Sequence, residues 1–216
     1  MIFRAFDFKQ EDVSSLERKY GFGRSGLYIA AAALAIAACN GSEDVMFNWT
    51  WHGRSDDRRM NSVGLFFRDM PVAYRLKRGV LLSRLYEEIA AQVREGISHG
   101  NVSYWEEKGS YCGKQLTCLI YQGDVYEFRN SGSIVNSVEK LPLPYAACNN
   151  QLDIEILDGR DRFGILLDYN ARKYEQSTME RFSRIFCAAC VQMIRQNPKT
   201  ATVGDVIRKA TEGESI

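Results

Sequence analysis

The pattern of hydrophobic and polar positions along the chain predicts three long helices. Residues 80–97 place apolar side chains at three- and four-residue steps, which is typical of an amphipathic helix. Residues 27–39, "LYIAAAALAIAAC", are apolar on every face and predict a helix packed on several sides. The last long helix opens at a Ser177–Glu180 capping box and ends before Asn197-Pro198. A short polar helix is also predicted over residues 11–19.

Other segments have the composition and alternation of strands. "DVMFNWTW" (residues 44–51) and "LTCLIY" (116–121) are rich in β-branched and aromatic residues, and "DVYEFR" (124–129) is a candidate neighbour. "SVGLFFRDMPVAYR" (62–75) is extended and apolar, and its Pro71 argues against a helix. Residues 130–150, rich in Asn, Ser and Pro, predict a loop.

A hairpin is predicted around the turn "DGRDR", between "LDIEIL" and "FGILLDYN". Its buried face consists of alternating apolar residues from both strands: Leu152, Ile154 and Ile156 against Ile165, Leu167 and Tyr169. Strands and helices mixed along the chain, without an internal repeat, predict an α/β fold with a mixed β-sheet flanked by helices.

Composition and charge narrow the function classes. The 216 residues are 45% hydrophobic and 25% charged, and the formal net charge is +1. A near-neutral chain lacks the field that attracts nucleic acid or an anionic membrane, so neither partner is expected. Without a secretory signal or a segment long enough to span a bilayer, we expect a cytoplasmic protein whose six cysteines are reduced thiols.

The residue types that carry catalysis are scarce. The chain has two histidines, His52 and His99, and we interpret both as solvent-exposed or capping residues. The "CAAC" at Cys187–Cys190 lies within a predicted helix and has no second CxxC, so core thiols are favoured over a redox pair or a zinc site. No catalytic residue and no metal ligand is therefore predicted.

Three stretches in order resemble the condensation domains of nonribosomal peptide synthetases. "DVMFNWTWHGR" resembles the family's strand followed by Gly-Arg, and "VGLFFRDMPVAYR" is similar to its "(I/V)GxFVNTxxxR" motif. "LDYNARKYEQSTMERFSRIF" resembles its terminal "YNxxxFxxxTIERxxxxF" segment. The resemblance covers the C-terminal half of such a domain. It implies residues 1–200 as one lobe of a chloramphenicol acetyltransferase-like fold, followed by a tail over residues 201–216.

The resemblance implies a function for that lobe. It forms one wall of a tunnel in which an acceptor amine attacks a donor thioester, both delivered on the phosphopantetheine arms of carrier proteins. No cofactor binds the lobe directly. The tunnel wall is expected to include side chains from the two matched motifs: Trp49, Arg54, Phe67, Arg68 and Asp69. The family's His-His-x-x-x-Asp-Gly motif is absent from this sequence, so the lobe is expected to be inactive alone.

Alternatives remain at this stage. The expected partners are the N-terminal lobe and carrier protein domains, and the exposed lobe face could form a homodimer. A non-catalytic carrier-binding module fits the same residues. "HGR" is similar to epimerization domains, so the corresponding lobe of such a domain is another alternative. A small acyltransferase using His52 or His99 as its base is a third.

Overall fold

The computed structural model describes residues 1–21, 23–54, 56–100, 117–121, 152–159 and 163–212. Within them, the strands are β1 (Ile2–Ala5), β2 (Asp44–Trp51), β3 (Arg68–Arg75), β4 (Cys118–Tyr121), β5 (Leu152–Asp158) and β6 (Phe163–Tyr169). The helices are α1 (Gln10–Tyr20), α2 (Arg24–Asn40), α3 (Asp57–Met60), α4 (Leu82–Ser98), α5 (Gln176–Arg195) and α6 (Val203–Ala210). The predicted strand at 124–129 and the loop at 130–150 lie outside the described residues.

The strands form one mixed sheet in the order β1-β6-β5-β4-β2-β3. β4 lies parallel to both β2 and β5, and the remaining neighbours are antiparallel. The mixed sheet with flanking helices confirms the predicted fold class. The hairpin β5–β6 has the predicted buried face, because Leu152, Ile154 and Ile156 pair with Tyr169, Leu167 and Ile165.

One face of the sheet packs against helices, and we call it the helix face. Arg4 of β1 donates to Ser183 of α5 at 2.8 Å, Tyr74 of β3 donates to Glu88 of α4, and the Tyr121 ring of β4 contacts Tyr28 of α2. Side chains alternate along each strand, so the intervening residues form the opposite surface, the outer face. Its members include Phe3, Leu166, Asp168, Asp153, Glu155, Cys118, Ile120, Asn48, Thr50, Asp69, Pro71 and Arg75.

Helix α2 is the centre of the core. It contacts β2 and β4 of the sheet and is also in contact with α1, α4, α5 and α6. Residues 27–35 are buried on every side of the helix, which confirms the prediction made from its uniformly apolar sequence. Small alanine side chains allow neighbouring backbones to approach closely, so this helix can be surrounded rather than merely covered.

A carboxylate at the end of β5 anchors α1 and α2 to the sheet. Asp158 is 2% exposed and accepts hydrogen bonds from Gln10 (2.8 Å), Tyr121 (2.9 Å) and Arg24 (3.2 Å). The Arg24 guanidinium supplies the opposite charge, and it also donates to Ser14 at 2.7 Å. Each donor belongs to a different element, so the network fixes their relative positions.

Several predicted boundaries differ from the observed ones. Ser177 does not cap α5: the helix begins at Gln176, has no side-chain cap, and Glu180 instead accepts from Gln176 at 2.8 Å. Only residues 68–75 of the predicted extended segment 62–75 form a strand. The structure also contains α6, whose buried Val206 packs in the main core. The folded unit therefore continues beyond residue 200, where we predicted a tail to begin.

Candidate functional site

The predicted site residues gather where β2 ends and β3 begins. β2 and β3 are antiparallel, with Thr50 opposite Asp69 and Trp51 opposite Arg68. The connection between them contains α3 and returns through residues 61–67, which we call the β3 approach. This arrangement brings the Gly-Arg motif and the start of the next motif together at one end of the sheet.

Gly53 occupies a position that only glycine suits. Its φ of +68° lies in the left-handed region, and a Cβ there would stand 1.7 Å from the backbone oxygen of Phe66. The glycine therefore lets the chain turn out of β2 while the β3 approach passes against it.

The Arg54 side chain holds the β3 approach in place through hydrogen bonds to backbone carbonyl oxygens. Its guanidinium donates to the carbonyl oxygens of Arg59, Ser62 (2.8 Å) and Gly64 (3.1 Å). Its guanidinium carbon also lies 4.6 Å from the centroid of the Phe66 ring. A planar fork with several donors suits this task, because one side chain satisfies the carbonyl of Arg59 in α3 together with two carbonyls of the β3 approach. In the structure, Arg54 is engaged in positioning the loop.

His52 contributes to the same turn. Its Nδ1 accepts the backbone N–H of Arg54 at 3.0 Å, and its ring lies 5.7 Å from that of Trp51. The side chain is exposed, and its contacts are those of a turn residue. His99 follows the last residue of α4 and is also exposed, at its C-cap. Both histidines are thus exposed, as expected, and they stand apart in the fold.

The β3 approach presents apolar side chains to solvent. Val63 is fully exposed, Leu65 is 77% exposed and Phe67 is 45% exposed. Alternate residues of one short segment point outward, while Phe66 between them packs on Arg54. Scattered exposed apolar residues are ordinary, but three within five positions on a braced segment form a patch that suits contact with another surface.

Asp69 begins a polar cluster on the outer face. The Thr50 hydroxyl donates to Asp69 Oδ1 at 2.9 Å, and the Cys118 sulfur lies 3.1 Å from the Thr50 oxygen and 3.8 Å from Asp69 Oδ1. Burial raises the pKa of the Cys118 thiol to about 12, and the nearby Asp69 carboxylate adds to that shift. The thiol is therefore protonated near neutral pH and acts as a weak donor.

The predicted tunnel-wall residues do not share one surface. Trp49 is buried on the helix face, opposite Met70 and Leu119, and its indole nitrogen has no hydrogen-bond partner. Arg68 donates to the neighbouring Phe67 carbonyl at 3.0 Å. The structure brings Arg54 and Phe67 together at the β3 approach and places Asp69 on the outer face.

Sequence reasoning missed the partners of Asp69. Thr50 lies in the strand that was predicted, but its contact with Asp69 depends on the antiparallel register. Cys118 is 49 positions from Asp69 and reaches it only because β4 lies parallel to β2. The available signal was their alternation with buried neighbours, which indicates a shared face but not which strands are adjacent.

Cys187 and Cys190 lie inside α5 and are buried, as predicted for core thiols. Among the described residues, no group of three or more His, Cys, Asp or Glu side chains is arranged to hold a metal ion. In the same part of the chain, no helix alone has the length and apolar character to cross a bilayer. Only the bent pair α1 and α2, taken together, meets that criterion.

Solved structures with a similar fold are known. No curated protein sequence matches this chain. A holo four-domain nonribosomal peptide synthetase, AB3403, is similar at a TM-score of 0.75 and 12% identity, covering 94% of this chain and 17% of that chain. The condensation domain of the Monacolin K polyketide synthase MokA gives 0.74 and 16% identity, with 94% and 48% covered. The X-domain from teicoplanin biosynthesis gives 0.70 and 16% identity, with 90% and 46% covered.

These similarities in structure are accompanied by a match in sequence. This chain spans about half the length of the solved condensation domain and X-domain it resembles, and a smaller share of the four-domain synthetase. Its sequence matches the condensation domain family over residues 5–206, which is nearly the whole chain. The protein therefore belongs to the condensation domain family.

Proposed function

We propose that this chain acts as the C-terminal lobe of a nonribosomal peptide synthetase condensation domain. It would form one wall of the tunnel where an amide bond is made between carrier-bound aminoacyl thioesters. Membership of the family supports this, as does the order of the three motif-like stretches. The coverage of about half of the matched condensation-domain chain agrees with a single lobe.

The observation that carries the proposal is the braced apolar patch of the β3 approach. Val63, Leu65 and Phe67 face solvent while Arg54 fixes the backbone that presents them. Holding a segment rigid before contact reduces the conformational entropy lost on binding. A second lobe packed on this patch would bury it, and would bring its own residues close to Asp69.

The chemistry follows from which groups each lobe supplies. This lobe carries no His-His-x-x-x-Asp-Gly motif, so the base would come from the N-terminal lobe. Phe67 and Asp69 would line the tunnel, while Arg54 would act by holding the loop. The phosphopantetheine arms belong to the carrier proteins, which would dock on the assembled pair of lobes.

Reconstitution tests the proposal. The chain is mixed with a donor carrier, an acceptor carrier and a separately expressed N-terminal lobe carrying the His-His motif, and products on the carriers are followed by intact mass. We expect condensed product only when both lobes are present. Product from this chain alone would contradict the proposal. An inverted aminoacyl centre without condensation would identify an epimerization lobe instead.

A variant of the patch separates lobe docking from failed assembly. Leu65→Ser is expected to weaken association of the lobes, since it removes an exposed apolar contact without altering the core. Leu81→Ser is the matched control, because Leu81 is also exposed but lies at the start of α4, away from the β3 approach. Carrier binding by the chain without any lobe association would favour the non-catalytic carrier-binding module.

A further inference from the structure

The cluster at Asp69 has more acceptors than donors. The single proton of the Thr50 hydroxyl goes to Asp69 Oδ1, so the Cys118 thiol supplies the second donor, to the Thr50 oxygen or to the same Oδ1. In either arrangement, neither donor reaches the other carboxylate oxygen, Oδ2. Among the described residues, no side chain donates to Asp69 Oδ2 and no Lys or Arg forms an ion pair with Asp69.

Asn48 is a second, independent acceptor without a donor. It is 4% exposed, and its Oδ1 has no hydrogen-bond partner. In the sheet it stands beside Cys118 and opposite Pro71, so its side chain is on the outer face with Asp69. A buried carbonyl oxygen without a donor costs about 1–3 kcal/mol, which a ligand donor placed there would recover.

The surroundings favour positive charge. Besides Asp44, which is paired with Arg75, the outer face carries the carboxylates of Asp69 and Asp168. In the described strands, the cationic side chain on this face is that of Arg75. It donates two hydrogen bonds to Asp44, of 2.6 and 3.0 Å, at the far end of β3. A carboxylate raises the local concentration of counter-ions, so Asp69 attracts cations.

We propose that Asp69 and Asn48 form a subsite for a primary ammonium group. Resting on the proposed function, this ammonium belongs to the side chain of the acceptor substrate, so the lobe selects a basic amine. An ammonium has three donors and a positive charge, and it would satisfy Asp69 Oδ2 and Asn48 Oδ1 together. Asn48 and Asp69 are diagonal neighbours on one face of antiparallel strands, with backbones about 7–8 Å apart. Both side chains extend from that face, so one ammonium between them can donate a hydrogen bond to an oxygen of each.

Binding to this chain alone tests the subsite directly. The isotope-labelled protein is titrated with 1,5-diaminopentane, with 1,5-pentanediol as the neutral probe of equal length, and amide shifts are followed by NMR. We expect saturable shifts at Asn48, Thr50 and Asp69 with the diamine only. Equal binding of the diol, or no saturable shift with the diamine, would overturn the proposal.

Two variants and a matched control locate the effect. Asp69→Asn keeps the shape and the contact with Thr50 while removing the charge, and is expected to weaken diamine binding about tenfold. Asn48→Leu removes the second acceptor and is expected to weaken binding as well. Asp168→Asn removes a carboxylate of the same face on β6 and should change affinity less than about twofold. Unchanged affinity in Asp69→Asn, with a native amide spectrum, would overturn the proposal.

The subsite and the proposed function fail in distinguishable ways. In the reconstituted pair of lobes, a lysyl acceptor should be used in preference to a norleucyl acceptor, and Asp69→Asn should abolish that preference. Diamine binding without any condensation would contradict the proposed function alone. Condensation without a lysyl preference, together with no diamine binding, would contradict the subsite alone.

Discussion

Two aspartates at strand ends of the same sheet have opposite surroundings. Asp158, on the helix face, is buried and accepts from three side chains on three different elements, one of them the cation Arg24. Asp69, on the outer face, is half-buried and accepts from a hydroxyl and a thiol. Among the described residues, the first carboxylate is balanced in charge and in donors, and the second has neither a paired cation nor a donor to its Oδ2.

The difference separates a residue that holds the fold from one available to a ligand. A fully satisfied buried network makes the elements around it rigid, and losing one member leaves the others without partners. A carboxylate with an open oxygen and no nearby cation contributes little to folding, but it can bind a cation at small cost in reorganisation. Substitutions at these residues are therefore expected to change stability by different amounts.

The largest effect is expected for Asp158→Ala. Removing this carboxylate leaves Arg24, Tyr121 and Gln10 without their shared acceptor, and breaking one partner of a buried ion pair typically costs about 3–5 kcal/mol. Arg24 is partly exposed, so we expect the lower end, about 3 kcal/mol. Urea unfolding followed by circular dichroism measures it.

Asp44→Ala is the matched control for that loss. Asp44 makes a shorter pair with Arg75, at 2.6 Å against 3.2 Å for Asp158 and Arg24, but the Asp44 and Arg75 side chains are about two-thirds exposed. Exposed pairs contribute little because water and salt screen them, so we expect a much smaller loss than at Asp158. A loss at Asp44 as large as that at Asp158 would show that geometry rather than burial decides the stabilisation.

The next largest effect is expected at the β3 approach, for Gly53→Ala. The added Cβ would meet the Phe66 carbonyl oxygen at 1.7 Å, and the backbone has a left-handed φ. We expect a loss of about 2 kcal/mol in the free energy of unfolding, together with weaker association of the N-terminal lobe. Gly79→Ala is the control, since a Cβ there has no neighbour within 4 Å. Equal stability of the two variants would mean that the loop moves without cost.

How far the sequence predicted these regions depends on how local each interaction is. The hairpin β5–β6 was predicted residue for residue, because a short turn fixes the register of two alternating strands. Helix α2 was predicted from its composition alone. By contrast, β1 has only four residues and pairs with β6, far away in the sequence, so no local sequence pattern predicts it. The position of β4 between β2 and β5 is not predicted by any local pattern either.

The candidate site follows the same rule. The resemblance pointed to Gly53-Arg54 and to Asp69, but it did not indicate that Arg54 binds the carbonyls of its own loop. Thr50 and Cys118 were missed because their contacts with Asp69 depend on the order of strands. Trp49 was grouped with the tunnel wall by its motif, and it lies buried on the helix face.

A smaller, pH-dependent effect is expected from two buried thiols, that of Cys118 on the outer face and that of Cys187 in α5. Burial raises the pKa of both Cys118 and Cys187 to about 12, above the value near 9 of a free thiol. The unfolded chain therefore loses these protons first, so the stabilisation is complete below about pH 9 and decreases as pH rises towards 12. Unfolding measured from pH 8 to pH 10.5 should show a smaller decrease for Cys187→Ala than for the unchanged protein. Parallel curves would contradict the raised pKa.

The smallest effect on stability is expected for Asp69→Asn, although it removes the same charge as a change at Asp158. Asparagine keeps an oxygen for the Thr50 hydroxyl, and the weaker hydrogen bond costs about 1 kcal/mol. Removing the charge also removes the cost of desolvating a half-buried carboxylate on folding. These contributions oppose each other, so urea unfolding should differ from the unchanged protein by less than about 1 kcal/mol. A loss comparable with that of Asp158→Ala would make Asp69 a folding residue and remove the contrast between the two faces.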